Sequence, residues 1–96
     1  MTNVDGNYSS DLIYYMKLNL RNHILEKDIN IKIIADKINR SIPSMYRYLN
    51  TSNDDLPNLE ILEKLVNCLD ISLDEFVSES VAMSESGKIN ETINNR

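Results

Sequence analysis

Ninety-six residues with a net charge of −5 suffice for one domain with one modest core, because two smaller units would each fall below the size at which a core alone holds a fold. Apolar residues make up 42% of the chain, with two Gly, two Pro and no Trp, a balance that excludes collagen-like and low-complexity classes and favours helices joined by short loops. A single cysteine, Cys68, excludes an internal disulfide, and its neighbours Val66, Leu69 and Ile71 mark it as a small buried hydrophobe. No N-terminal stretch joins a basic region to a long apolar run, and no apolar run reaches membrane-spanning length, so a cytoplasmic location without a membrane partner is expected.

The acidic sum hides an asymmetry. Between Lys17 and Asn50 there are seven basic residues against three acidic ones, whereas from Thr51 onward three basic residues face ten acidic ones. A basic half beside an acidic half suits a chain with one face turned to a polyanion.

In chain order, residues 1–9 lack periodicity and read as a flexible arm. Ser10 or Asp11 can cap a first helix running to about Glu26 or Lys27, with Ile13, Met16, Leu20 and Ile24 on one face. Tyr14 and Tyr15 suit either an extension of the core or a partner subunit. The pattern restarts with Asn30 as cap and Ile34, Ala35 and Ile38 inward. Asn39-Arg40-Ser41 then carries both a stop and a start, because Asn tolerates the left-handed conformation and Ser caps. Pro43 falls in the first turn of the next helix, where a missing N–H costs little, and Met45, Tyr48 and Leu49 form its buried stripe.

Thr51 to Leu56 is a polar, acidic loop, and Asn58 caps a helix with Leu59, Leu62, Leu65, Val66 and Leu69 inward. Ser72 and Glu75 fit a capping box before a short last helix containing Phe76 and Val77. The domain is expected over 10–78, with 79–96 either a polar tail or a weak extra helix holding scattered Val81, Met83, Ile89 and Ile93. The expected fold is all-α, a compact five-helix bundle in which two short helices joined by three residues leave the second free to enter a major groove.

At these residues the chain resembles the Cro and phage-repressor helix-turn-helix family, with its lambda-repressor-like bundle. Ile29 to Asn39 is similar to that family's first-helix segment, Ser41 to Tyr48 to its recognition helix, and Pro57 to Phe76 to its closing pair of helices; the likeness spans about residues 16–77. Ile31 and Ile42 stand where the family often carries Gln; Ile cannot make a bidentate bond to adenine, though it can pack on a thymine methyl. Ile24 and Leu49 stand where many members pair Arg with Glu, so an apolar contact is expected there. Asp54 and Asp55 lie in a loop where many members carry basic residues near phosphates.

The resemblance implies a sequence-specific regulator of double-stranded DNA, a repressor acting as a homodimer, since one recognition helix reads too few base pairs. Ile42, Pro43, Ser44, Tyr46 and Arg47 would face the groove, Arg47 first because its fork suits guanine and phosphate alike. Ile31, Lys32, Arg40, Ser41 and the helix start at Asn58 complete the candidate contact set. Phe76, Val77, Val81 and Met83 are the expected dimer surface. A protein-interaction module on the same fold, an antitoxin-like or phage-encoded inhibitor, is the competing expectation, favoured by the acidic balance.

No catalytic residue, metal or cofactor is expected. His23 stands alone, the carboxylate pairs Glu60/Glu63 and Asp74/Glu75 read as solvated charge, and Gly6 and Gly87 form no phosphate-cradling loop.

Overall fold

The computed structural model describes the backbone of residues 9–94 and the side chains of residues 9–87. The arm expected over 1–9 lies outside these residues apart from Ser9, as do the side chains of Ile89 and Ile93. Within them the fold is all-α: α1 (Ser10–Lys27), α2 (Ile31–Ile38), α3 (Ile42–Leu49), α4 (Leu59–Cys68) and α5 (Leu73–Asn94). No described helix is long and apolar enough to cross a membrane.

Each start has a side-chain acceptor for an orphan amide. Ser9, one residue earlier than expected, caps α1 by accepting from Leu12 N at 3.3 Å, because Ser10 already has helical geometry. Asn30 accepts from Lys32 N at 2.7 Å, Ser41 from Ser44 N at 3.2 Å, and Asn58 from Ile61 N at 2.9 Å. Ser72 accepts from Glu75 N at 3.1 Å and opens α5.

Three helix ends close through non-glycine residues in the left-handed region: Asp28 (φ 54°), Asn39 (φ 58°) and Asp70 (φ 61°). Beyond each, an amide returns five residues to a helix carbonyl, as from Arg40 N to Ala35 O at 2.9 Å and from Ile71 N to Val66 O at 3.2 Å. Asn39 therefore ends α2 and leaves only Arg40 and Ser41 before α3 begins.

One core joins all five helices. Met16, Leu20 and Ile24 of α1 meet Ile34, Ala35 and Ile38 of α2, and Met45, Tyr48 and Leu49 of α3. Ile61, Leu62, Leu65 and Val66 of α4, with Leu69, Ile71 and Phe76, complete it, and half-buried Cys68 packs against it. Ile24 and Leu49 both lie in this apolar interior. Two expected positions change. Ile13 is half-buried at the margin, and Leu59, in the first helical position of α4, is exposed while Ile61 is buried in its place.

The largest departure is α5. It is a single helix of 22 residues where a short one was expected, and it runs past Ser78 along α1. Phe76, Ser80, Ser84 and Gly87, spaced four, four and three apart, are its buried or half-buried side toward α1. Ser80 and Ser84 are small enough to let the helices approach, and Tyr15 lies so close over Gly87 that a Cβ there would meet its ring at 2.8 Å. A seam of polar bonds holds the pair: Asn19 Nδ2 donates to Phe76 O, Glu79 Oε1 and Ser80 Oγ at 3.2–3.4 Å. Phe76 is fully buried, which removes it from the expected dimer surface.

Candidate nucleic-acid interface

Helix α3 has two unlike sides because an eight-residue helix turned against one core can bury only one stripe. Met45, Tyr48 and Leu49 are buried; Ile42, Pro43, Tyr46 and Arg47 are exposed, with Ile42 and Tyr46 one turn apart. Ser44 is half-buried, and its hydroxyl accepts from Ser41 Oγ at 3.0 Å, which leaves its own proton free to donate. Ser41 has both hydroxyl functions engaged, since it also accepts from Ser44 N.

The remaining expected contact residues are dispersed in role. Ile31 is half-buried against the core and Lys32 is exposed at the start of α2. Arg40 is half-buried, with Nη1 donating to Asn39 O at 3.2 Å. Asn58 spends its carboxamide oxygen on its own helix start.

Arg47 is not a free cation. Its Nε lies 3.6 Å from Asp55 Oδ2, across two side chains that are both more than half exposed. The acidic loop thus reaches back to the outward side of α3.

A buried lysine and a half-buried asparagine hold that arrangement. Lys17, fully buried on α1, donates from Nζ to Arg47 O at 3.0 Å and to Asn53 Oδ1 at 2.7 Å, tying the end of α3 to the loop. Burial pushes its ammonium below the usual lysine range, while Asp55 and Asp54 oppose that shift. Asn53 turns the loop by accepting from Asp55 N at 2.9 Å, and Ser10 Oγ donates to Asp54 Oδ2 at 3.3 Å. Lys17 counts toward the basic half of the sequence, yet its stem is covered by core and its head is spent on Arg47 O and Asn53 Oδ1.

Arg21 is the cation that sequence reasoning overlooked. It lies exposed on α1 and lines a cleft of about 340 Å³ with Tyr46, Leu49 and Asn50. Its signal was its place one residue beyond the buried Leu20, which turns it away from the core and toward the flank of α3.

On the opposite side of α1, His23 Nε2 lies 2.8 Å from Glu79 Oε1, beside a cleft of about 400 Å³ lined also by Asn19, Asn22, Glu26, Ala82 and Met83. The hydrogen bond from His23, aided by Asn19, holds the Glu79 carboxyl below the usual glutamate value, against a smaller opposing effect of burial. Ser80 donates to Phe76 O at 2.9 Å rather than to the imidazole, so these three residues make no nucleophile and base pair. Among the described residues, no group of three or more His, Cys, Asp or Glu is placed to hold a metal ion.

Comparisons with family models, with curated proteins and with solved structures find no match for this chain.

Proposed function

We propose that the chain is a sequence-specific DNA-binding regulator, a cytoplasmic repressor of the phage-repressor type, that inserts α3 into the major groove of double-stranded DNA as a homodimer. The observation that carries this reading is the α2–α3 unit: two eight-residue helices joined across Asn39, Arg40 and Ser41, with Ile42, Pro43, Tyr46 and Arg47 outward and uncommitted to the core. Ile42 and Pro43 meet thymine methyls, Ser44 and Tyr46 donate to phosphates, and Arg47 leaves Asp55 for a guanine edge or a phosphate. With Phe76 buried, Val77, Val81 and Met83 remain for a second copy, since Val81 is exposed and Val77 and Met83 are only half-buried on α5. The reading assigns the chain no catalytic step.

Binding to mixed-sequence and selected duplexes over a range of salt tests this proposal. A DNA binder loses affinity steeply with salt, in proportion to the phosphates it neutralises. A flat or absent response refutes it.

A second reading, a protein-interaction module, has its own support in the apolar exposure of Ile42 and Tyr46 and in the Arg47–Asp55 pair, which lowers the positive charge offered to a polyanion. Under it, Ile42→Ser and Tyr46→Ser abolish capture of a protein partner, and duplex DNA leaves the chain unbound.

A further inference from the structure

The cleft between α1 and α3 is mostly apolar in surface and carries hydrogen-bond donors at its border. Arg21, Tyr46 and Asn50 border it over the buried Leu49. Asn50 Oδ1 accepts from Ser52 N at 2.9 Å, which fixes the carboxamide so that its NH₂ is left to point elsewhere. Among the described residues, the Arg21 guanidinium, the Tyr46 hydroxyl and the Asn50 NH₂ have no hydrogen-bond acceptor, and no carboxylate lies within 4.0 Å of Arg21. The contrast with Arg47, already facing Asp55, is direct.

We infer that this cleft is a seat for a phosphodiester group of the DNA backbone, with Arg21 as its principal ligand. A phosphate oxygen pair matches the planar fork of arginine, and the phenol and carboxamide can donate to the oxygens that remain. The cleft flanks α3 on the side of α1, where a helix lying in a major groove has a bordering strand of phosphates. The inference rests on the proposed function and adds to it a residue outside the two-helix unit. The seat anchors the protein without reading bases, so it contributes equally on every sequence.

The test is binding of a mixed-sequence duplex to the full chain and to Arg21→Ala, Arg21→Lys and Tyr46→Phe, each over a range of salt. Arg21 is exposed and outside the core, so Arg21→Ala should unfold at the same temperature as the unaltered chain. It should lower the slope of log affinity against log salt by about 0.9 for each seat occupied, hence about twice that for a homodimer, and by the same amount on all sequences. Arg21→Lys should keep the slope, and Tyr46→Phe should weaken binding without changing it. If the unaltered chain binds with a steep salt response and Arg21→Ala binds identically, the seat is wrong and the DNA function stands. If the unaltered chain shows no salt-dependent binding, both fall. If inorganic phosphate shifts the Arg21 and Tyr46 side-chain NMR signals and bound duplex leaves them unmoved, the seat belongs to a free phosphate ligand and the backbone assignment is overturned.

Discussion

Replacing Lys17 by Met tests how the loop after α3 is held. Methionine keeps most of the apolar volume of the stem and removes the ammonium, so the change isolates the two bonds to Arg47 O and Asn53 Oδ1. Bonds from a charged donor contribute roughly 1.5–3 kcal/mol each, an upper sum of about 6 kcal/mol. Two effects reduce it. Both acceptors keep a second donor, Asn50 N on Arg47 O at 3.3 Å and Asp55 N on Asn53 Oδ1 at 2.9 Å, so neither is left bare. Removing a buried ammonium also recovers its desolvation cost, several kcal/mol in general. The expected net loss is about 1–3 kcal/mol, read from urea unfolding, with faster amide exchange at Ser52 and Asp55 as the loop loosens. Lys17→Ala should cost about 2 kcal/mol more than Lys17→Met, because it also empties the space of the stem. A methionine variant as stable as the original chain, with unchanged exchange in the loop, would refute the reasoning.

Asn39→Gly should be neutral or stabilising and Asn39→Val should destabilise by about 1–2 kcal/mol, the cost of holding a β-branched residue at φ 58°; equal urea midpoints would contradict the conformation. Asp55→Asn should leave stability within about 0.5 kcal/mol, since exposed pairs contribute little, yet raise duplex affinity several-fold by freeing Arg47; fluorescence anisotropy reads the change, and unaltered affinity would show that Asp55 does not restrain Arg47. Because the Glu79 carboxyl titrates lower in the folded chain than its usual 4.5, its contribution is present above pH 4.5 and is lost as pH falls through the folded value. Glu79→Gln should therefore lose less stability than the original chain on acidification below pH 4.5, and parallel acid-unfolding curves for the two would contradict this.

The boundaries at Asn30, Asn39, Ser41 and Asn58 are legible because each depends on one residue with a local duty. Asn30, Ser41 and Asn58 cap, Asn39 closes, and Pro43 lies in a first turn, all as their chemistry demands within two or three residues of sequence. The buried stripe of α3 was legible for the same reason: Met45, Tyr48 and Leu49 repeat at helical spacing. The continuation of α5 was hidden, because Ser80, Ser84 and Gly87 pack by smallness and hydrogen bonds and leave no apolar period to read. Val77 and Phe76 are adjacent in sequence, yet only the packing of α1 and α4 decides that Phe76 is interior. The candidate interface was legible as residue types and not as charge. Sequence names Lys17, Arg47 and Asp55 as ions; that one is buried and the other two face each other follows from loop geometry spanning 36 residues between Lys17 and Asn53.

The seam between α1 and α5 also sets an order of events during synthesis. The first helix made finds its polar partners last: Lys17 waits for residues 30 and 36 positions downstream, and Asn19 for residues 57 to 61 positions downstream. Until Phe76 and Ser80 have emerged, the α1 surface that carries Asn19 has no cover, while its other side already packs against α3. A chain stopped at Asp70 lacks every α5 partner of Asn19 and should be cut by protease along that side of α1 faster than the full chain. Docking of α5 therefore completes the cover of the Asn19 side of α1, and a truncation within α5 uncovers it.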